Sequence, residues 1–320
     1  MSTLPLGYLE SAGRQAATIV PLTWTTLLIS IVVCVVIGIL LWLAVRRARV
    51  SGGALETRSV PIERGGNGLR WISIGLIISA VPLLITLVWT MVALASVIAP
   101  PARPALTLDV TGRQYWWEVQ YNSAEPSGIF TTANEIHIPV GVPVLVRLHG
   151  ADVIHSFWVP QLSGKTDAIP GQTNLSWIQA DRPGRYHGQC SEFCGFQHAH
   201  MAFDVVAEPE PEFEQWRARQ VQSAAPPTTP EQTRGLALIE YRCGLCHRIR
   251  GTDAGAITAP DLTHLMSRQT IAAGALANNT GNLAGWIQGA QALKPGTLMP
   301  NQYLSGRELT DALAYLETLQ

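Results

Sequence analysis

The chain has 320 residues, enough for two compact domains in addition to a membrane anchor. Its formal net charge is −1 and only 14% of its residues are charged, so the composition speaks against binding to nucleic acid. Hydrophobic residues make up 47% of the chain and are concentrated in two long runs, which points to a membrane protein.

The first third of the chain predicts a two-helix membrane anchor. Residues 1–20 are short and mixed, without the basic start and small-residue cleavage site of a secretory signal. Pro21–Val45 carries no charge and exceeds the roughly twenty apolar residues that cross a bilayer. Trp71–Pro100 repeats the pattern and includes Pro82, which a membrane helix tolerates. We therefore assign the anchor to residues 21–100.

The segment between the two apolar runs, residues 46–70, sets the predicted orientation. It contains six arginines and two glutamates. Basic loops between membrane helices stay on the cytoplasmic side. Residues 1–20 and everything after Pro100 are therefore predicted to lie on the outer face.

Residues 101–210 are predicted to fold as an antiparallel β-sandwich. Short β-rich runs alternate there with Gly, Pro, Asn and Asp, a spacing typical of sandwiches and barrels. Alternation of apolar and polar residues in Glu135–Val140 and Val142–His149 places one face of each strand inward.

A dense group of metal-ligand residues lies near the end of this domain, in the sequence CSEFCGFQHAHM from Cys190 to Met201. Its thiolates, imidazole and thioether suit copper better than magnesium or calcium. A mononuclear blue-copper site uses only one thiolate, so Cys190 and Cys194 together indicate two coppers bridged by both sulfurs. Two coppers need two imidazoles, for which His198 and the upstream His155 are the candidates.

Two simpler interpretations of the same residues remain open. Cysteines four residues apart in an exported domain could close a disulfide. Cys190, Cys194, His198 and one more histidine would also satisfy tetrahedral zinc. Neither interpretation gives a role to Met201.

The remaining residues predict a linker and a small all-α domain. Residues 211–230 are rich in Pro, Glu, Gln, Ser and Thr, which indicates a short helix and a flexible linker. In residues 231–320, Ser305 and Glu308 form the sequence pattern of a capping box that opens a last helix.

The C-terminal domain carries the attachment signature of a c-type haem, Cys243-Gly-Leu-Cys246-His247. The two thiols bond covalently to the porphyrin vinyl groups, and the adjacent imidazole of His247 is placed as an axial iron ligand. A thioredoxin-like redox pair would share the two cysteines but not the histidine or the all-helical context.

The second axial ligand is expected downstream of the attachment site. Met299, in the sequence KPGTLMP, is the candidate, because a proline-flanked loop can aim a thioether, and a Met/His pair raises the haem potential as electron carriers require. Met266 and His264 are the rivals.

Three segments carry a resemblance to a known family: Lys165–Asn174, Arg182–Gly195 and the His198-x-x-Met201 spacing. They resemble the dinuclear copper A domain of cytochrome c oxidase subunit II. The resemblance covers the whole chain, including the anchor and a fused C-terminal cytochrome c domain. It implies a cupredoxin-like Greek-key sandwich between two transmembrane helices and a small all-α cytochrome c domain.

The resemblance also implies the ligand sets. Cys190 and Cys194 would bridge the two coppers, and the remaining copper ligands would be His155, His198, Met201 and the main-chain carbonyl of Glu192. The carboxylate of Glu192, with Asp167, would face a magnesium ion shared with subunit I. An oxygen-rich site suits such a hard cation.

The chain departs from the family at two places. The aromatic segment ends Tyr115-Trp116-Trp117, so the tryptophan that usually receives electrons from soluble cytochrome c is Tyr115 here. These three aromatics are the candidates for electron entry, with sandwich packing as the alternative. The family's proton-channel glutamate falls near Gly75, and Glu63 is the nearest acidic residue before the second helix.

The function implied by the resemblance is electron transfer in a haem-copper terminal oxidase. Electrons from an external donor, such as a cytochrome c or an upstream respiratory complex, would pass through haem c and copper A to subunit I. There dioxygen would be reduced to water with proton translocation. The chain would have no catalytic centre of its own, and subunit III and membrane lipid would be its other partners.

The implied location is the bacterial inner membrane, with both redox domains on the periplasmic face. Two alternatives use the same residues. One is the copper A subunit of a nitric oxide reductase, and the other is a copper-delivery protein that uses Cys190 and Cys194 as a transient site.

Overall fold

The computed structural model describes residues 6–50, 68–100 and 103–320. Most of the predicted cytoplasmic loop 46–70, including Glu63, lies outside these residues. The chain divides into two compact units, Thr18–Ile98 and the combination of Met1–Ala17 with Ala99–Gln320.

Two long helices, α1 (Arg14–Val50) and α2 (Gly68–Ile98), account for the apolar runs. Arg14–Arg47 and Gly68–Ile98 are long and apolar enough to cross a membrane, and their most apolar stretches are not buried by protein. Pro21 and Pro82 lie inside the two helices without ending them. The prediction of two long apolar helices is confirmed, although the first helix begins before the apolar run.

The middle of the chain forms ten strands in two five-stranded sheets. The strands are β1 (Leu106–Arg113), β2 (Trp116–Tyr121), β3 (Phe130–Ala133), β4 (Glu135–Pro139), β5 (Val144–Gly150), β6 (His155–Trp158), β7 (Thr166–Ala168), β8 (Asn174–Ile178), β9 (Gly184–Cys190) and β10 (Ala202–Glu208). The first sheet has the order β3-β2-β1-β5-β8, and the second has the order β4-β10-β9-β6-β7.

Neighbours in these sheets are mostly antiparallel, but β1 runs parallel to β5 and β4 runs parallel to β10. Alternate residues of β1, β2 and β5 are buried, as expected when each sheet turns one face to the other. The core between the sheets contains Leu108, Val110, Trp117, Val119, Ile136, Leu148, Phe157 and Phe203. The predicted β-sandwich is confirmed.

Helix α3 (Glu210–Gln220) follows the last strand and packs on the sandwich. The Trp216 ring stacks on His137 with centroids 4.1 Å apart and lies 5.2 Å from the Tyr121 ring. His137 is held between Glu135 and Glu208, each 3.1 Å from one of its ring nitrogens. It is therefore a structural histidine, as expected for a residue outside the metal loop.

The N-terminal segment before the membrane helix also belongs to the sandwich unit. The N–H of Ala12 donates to the carbonyl of Gln161 and its carbonyl accepts from the N–H of Asp181, both at 2.8 Å. Gln15 is buried and its side-chain amide donates to the carbonyl of Trp177 at 2.7 Å. Residues on both sides of the anchor thus contribute to one fold.

The C-terminal domain contains helices α4 (Pro230–Arg242), α5 (Thr280–Leu293) and α6 (Gly306–Leu316). The predicted capping box is present at Ser305 and Glu308, and a second one joins Thr229 to Gln232. The domain also contains a ribbon of two short strands, β11 (Thr270–Ile271) and β12 (Leu276–Ala277). This ribbon was not predicted, because two residues are too few to show the alternation of apolar and polar residues that indicates a strand.

Candidate functional site

The metal loop joins β9 to β10 and is closed at its base by backbone hydrogen bonds. The N–H of Cys190 donates to the carbonyl of Met201 at 3.0 Å, and a single 3₁₀ turn, His198–His200, brings the chain back. Gly195 has a φ of +125°, and a Cβ there would meet the hydroxyl oxygen of Tyr115 at 2.7 Å. The loop therefore needs glycine at this position to pack against the neighbouring aromatic side chain.

The sequence-predicted copper ligands converge around two sulfur atoms. The Sγ atoms of Cys190 and Cys194 are 3.9 Å apart and do not form a disulfide. On one side, Cys190 Sγ lies 4.0 Å from His155 Nδ1 and 3.3 Å from the carbonyl oxygen of Glu192. The disulfide interpretation is thus not the state that the structure shows.

The second sulfur has its own pair of neighbours. Cys194 Sγ lies 3.6 Å from His198 Nδ1 and 3.8 Å from Met201 Sδ. Each sulfur is therefore accompanied by one imidazole and one weaker donor. His155, Cys190, Cys194 and Met201 are all buried, so these four donors are shielded from water, whereas His198 is half-buried.

His155 is oriented by a carboxylate that the sequence analysis did not single out. Asp152 Oδ1 lies 2.7 Å from His155 Nε2, which leaves Nδ1 facing Cys190. Burial alone would lower the pKa of His155, but hydrogen bonds to Cys190 and Asp152 raise it. A carboxylate on the far nitrogen is a common support for a metal-bound histidine.

The two thiols are electrostatically linked. The hydrogen bond between the two sulfurs lowers the pKa of Cys190 to about 3, although burial opposes the shift, and His155 adds to the lowering. The same contact and burial raise the pKa of Cys194. The pair thus holds one thiolate readily, and a thiolate is the form that binds metal.

The two acidic residues proposed for magnesium lie at one corner of the sandwich. Asp167 on β7 pairs with Ser156 on β6. The carbonyl of Ser156 accepts a hydrogen bond from the N–H of Ser191, which is next to Glu192. Glu192 is exposed and Asp167 is half-buried. No contact between the two carboxylates is seen in the part of the chain that the structure describes.

The three aromatic candidates differ in their surroundings. Trp117 is fully buried, and its ring meets those of His155, Phe157 and Phe203 edge-on at 5.6–5.9 Å. Tyr115 is 7% exposed and its hydroxyl accepts from the N–H of Phe196. Trp116 is half-buried beside Arg113. Packing thus accounts for Trp117, which also touches a predicted copper ligand.

The haem attachment residues directly follow α4. The N–H of Cys243 and the N–H of Gly244 both donate to the carbonyl of Ile239, which turns the chain out of the helix. His247 Nδ1 lies 2.7 Å from the carbonyl oxygen of Pro260. Burial lowers the pKa of His247, so the imidazole is neutral, with Nε2 left for a metal.

Cys243, His247 and Met299 line a single apolar cleft that encloses about 890 Å³, part of it open to solvent. Trp286 lies in the same wall, with Leu262, Leu265, Ile271, Leu283, Ile287 and Leu304. His264 is occupied by the carbonyls of Gln320 and Gln222, and Met266 packs in the helical core. Among the predicted candidates, only Met299 thus faces the attachment site.

Arg268 also lines this cleft, and the sequence analysis missed it. The side chain is 9% exposed, donates from Nη2 to the carbonyl of Asp261 at 2.5 Å, and leaves Nε without a partner among the described residues. Burial lowers the pKa of its guanidinium. A buried, incompletely paired cation would accommodate a carboxylate of a bound group.

Two family descriptions match the chain. Residues 123–208 match "Cytochrome C oxidase subunit II, periplasmic domain", and residues 232–320 match "Cytochrome c". The first match covers strands β3 to β10 of the sandwich, and the second covers the small helical domain.

Relatives extend the likeness over most of the chain. "Cytochrome c oxidase subunit 2" of Alkalihalophilus pseudofirmus is 40% identical over 215 residues, which are 67% of this chain and 61% of that protein. The alignment therefore spans less than two thirds of that relative. The protein of the same name from Bacillus subtilis is 29% identical over 337 residues, covering 98% of this chain and 92% of that protein.

A solved structure is also similar to part of the chain. The periplasmic domain of subunit II of cytochrome oxidase of Bradyrhizobium japonicum is 34% identical, with a TM-score of 0.35. The match covers 37% of this chain and 95% of that chain.

Proposed function

The chain joins a cytochrome c oxidase subunit II domain to a C-terminal cytochrome c domain, and we propose that it is the subunit through which electrons enter a haem-copper terminal oxidase. It takes electrons from an external donor and delivers them, by way of haem c and dinuclear copper A, to subunit I. Dioxygen is reduced to water there, with proton translocation. The chain is thus part of an oxidoreductase without holding the oxygen-reducing centre, and subunit III is a further partner.

The observation that carries this proposal is the arrangement of donors around the two sulfurs. Cys190 and Cys194 would hold the two coppers of copper A, and one flanking pair of donors accompanies each sulfur. His155 and the Glu192 carbonyl lie beside Cys190, and His198 and Met201 lie beside Cys194. One tetrahedral zinc would leave the thioether unused, so the donor set fits copper better.

The C-terminal cleft fits a covalently attached haem. Cys243 and Cys246 would hold the haem covalently, and His247 and Met299, which line the cleft, would be its iron ligands. Arg268, whose Nε is unpaired among the described residues, lines the same cleft and would suit a porphyrin carboxylate. The apolar walls restrict water at the iron, which together with methionine ligation favours a high potential.

When bound, both groups exchange single electrons without making or breaking covalent bonds. The chain's own residues hold the metal geometry constant while this happens. Asp152 fixes the His155 ring, and the bond from Cys190 N–H to Met201 fixes the ends of the loop. A rigid, buried set of ligands keeps the reorganisation that accompanies electron transfer small.

The corner formed by Asp167 and Glu192 is our proposed magnesium site at the boundary with subunit I. Carboxylate oxygens suit this hard cation, which usually keeps several waters. Ser156 Oγ and Ser191 Oγ, at the same corner, are buried without a protein partner in the described part of the chain. We assign electron entry to the haem, with Tyr115, Trp116 and Trp117 as intermediates close to the copper loop.

The proposed location is the bacterial inner membrane, with both redox domains in the periplasm. Residues on either side of the anchor fold into one unit, which requires them to lie on the same side of the membrane. Two spanning helices satisfy this requirement, and the arginine-rich residues 46–70 then lie in the cytoplasm.

The test is metal and optical analysis of the full chain, purified in detergent after maturation with haem and copper. We expect two coppers per chain, a paramagnetic signal from one unpaired electron shared by both coppers, and the band of a reduced c-type haem. One copper or one zinc per chain, without the shared-electron signal, would contradict the copper A assignment. Oxygen consumption by the complex purified with subunit I would then test the oxidase role directly.

A further inference from the structure

Lys294 is a buried lysine at the contact between the sandwich and the helical domain. It is 2% exposed, and its Nζ donates to the carbonyl oxygens of Tyr115 at 2.8 Å, His200 at 2.9 Å and Ala272 at 2.9 Å. No carboxylate in the described part of the chain lies within 4 Å of this ammonium. Three carbonyls therefore replace the water and the counter-ion that a buried lysine normally needs.

The three carbonyls come from both domains. Tyr115 and His200 belong to the sandwich, and Ala272 belongs to the helical domain that also carries Lys294. The Nζ atom reaches all three carbonyls only when these groups converge on one point. The lysine therefore specifies how the two domains fit together, a task for which apolar contacts alone have little directionality.

The segment next to this lysine adopts a backbone conformation that alanine disfavours. Ala272 and Ala273 have φ values of +54° and +58°, and Gly274 follows at +82°. The left-handed conformation is disfavoured for a residue with a Cβ. Here it directs two successive carbonyls to the contact between the domains, one to Lys294 and the other to the N–H of Ala202 at 3.1 Å.

These contacts join the two candidate redox sites directly. Ala272 lines the haem cleft, and Ala202 immediately follows the predicted copper ligand Met201. Two further hydrogen bonds tie the same faces together, from the Gln197 side chain to the carbonyl of Pro295 at 2.9 Å and from the N–H of Gln269 to Glu135 at 3.2 Å. The hydrogen bond from the N–H of Ala202 to the carbonyl of Ala273 is therefore a short link between the cleft and the loop.

We infer that Lys294 is a positioning residue that holds the cytochrome c domain in one docked arrangement on the copper loop. Electron transfer then crosses the Ala273–Ala202 contact without a swing of the domain. This inference rests on the proposed function. The step moves one electron and no proton: ferrous haem iron is oxidised to ferric, and the copper pair is reduced by that electron.

The chain offers a direct test because it contains only two lysines, Lys165 and Lys294. Lys165 is exposed and serves as an internal reference. The full chain, loaded with haem and copper in detergent, is treated with an amine-acylating reagent, and the modification of each lysine is followed by mass spectrometry. We expect Lys165 to react at least about tenfold faster than Lys294, because acylation of Lys294 requires the domains to separate. Equal rates would overturn the docked arrangement.

A second measurement tests the role of the ammonium. Lys294→Met keeps a similar length but donates no hydrogen bond, and Lys165→Met is the matched control. With unchanged haem and copper spectra, we expect Lys294→Met to slow electron transfer from haem to copper by about tenfold or more, since small displacements in reacting geometry have large effects on rate. Amide exchange at Ala202 should accelerate in the same variant.

The outcomes separate this inference from the proposed function. Wild-type transfer rate and Ala202 protection in Lys294→Met would refute the positioning role while leaving the electron carrier intact. A wild-type chain that binds haem but no copper pair would refute the proposed function, and lysine labelling would still decide whether the domains are docked. The labelling arm needs no variant, so a misfolded Lys294→Met protein would not remove the test.

Discussion

Asp152 lies 2.7 Å from the Nε2 atom of His155 and thereby directs the opposite ring nitrogen toward Cys190. This carboxylate is 31% exposed, whereas the imidazole is fully buried. The pair resembles the carboxylate–histidine arrangements that support metal ligands in many proteins. The proposed copper site should therefore depend on a residue that does not bind the metal.

We expect Asp152→Ala to weaken copper binding by about 10- to 100-fold, because the His155 ring loses the group that fixes its orientation. Competition with a copper chelator measures the change. Asp181→Ala, at an exposed carboxylate away from the loop, is the matched control and should bind copper like the wild type. Equal affinities in the two variants would show that Asp152 does not orient the ligand.

Gly112 provides a steric test of the same histidine. A Cβ at this position would lie 2.7 Å from the Cγ and Cδ2 atoms of His155, which is far inside normal contact distance. We expect Gly112→Ala to displace the ring and reduce copper affinity by about tenfold or more. Gly164→Ala is the control, since a Cβ there meets nothing within 4 Å. Copper titration of both variants measures their affinities. Normal binding by Gly112→Ala would argue against His155 as a ligand.

Met299→Ala should leave the haem covalently attached, because Cys243 and Cys246 are unchanged. Loss of the thioether ligand should lower the haem potential and remove the absorption of the iron–sulfur bond in the oxidised state. Redox titration followed by absorption spectroscopy measures both effects. Met266→Ala removes a thioether from the helical core and should keep the potential. If Met266→Ala lowered the haem potential and Met299→Ala did not, Met266 would be the iron ligand and Met299 would not.

The Glu135–His137 pair should make the stability of the sandwich depend on pH in two directions. Burial opposes ionisation of Glu135, but hydrogen bonds and charges from His137 and Arg185 lower its pKa from 4.5 to about 2. Its stabilising effect is thus complete above pH 4.5 and is lost as the pH falls toward 2. The pKa of His137 is raised from 6.5 despite burial, so its contribution is complete below pH 6.5 and is lost at higher pH.

Stability from this pair should accordingly be greatest between about pH 4.5 and 6.5. We expect Glu135→Gln to destabilise the sandwich there by at most about 3 kcal/mol and to flatten the acid limb of the profile. Thermal unfolding from about pH 2 to about pH 8 provides the measurement, because it covers both limbs of the profile, and Glu214→Gln, at an exposed glutamate of α3, is the control. An unchanged acid limb in Glu135→Gln would assign the acid sensitivity to other groups.

Sequence reasoning located the candidate sites where chemistry dictates the spacing. Cys243, Cys246 and His247 must lie close together in the sequence to bind a haem covalently. The ligands from Cys190 to Met201 must lie within one short loop to reach the same two metals. His155 was found by counting imidazoles, although it lies on a different strand. These residues could be named from the chain because their spacing or number follows from the group they would bind.

Other residues gained their roles only from tertiary structure. Arg268 and Lys294 resemble ordinary surface cations in the sequence. The packing of the helical domain buries Arg268, and Lys294 is buried where that domain meets the sandwich. Asp152 offered a weak signal, three residues before His155 on an irregular turn. The left-handed alanines at 272 and 273 gave no signal, because alanine normally avoids that conformation.

The N-terminal segment that packs on the sandwich affects how a soluble protein should be engineered. A truncation that starts at Ala99 discards Ala12 and Gln15, and exposes the carbonyls of Gln161 and Trp177 that these residues satisfy. Circular permutation, with residues 6–17 attached by a flexible tether behind Gln320, would restore the missing edge without the two candidate membrane helices. Residues that these helices separate along the chain are thus needed together in any soluble version of the domain.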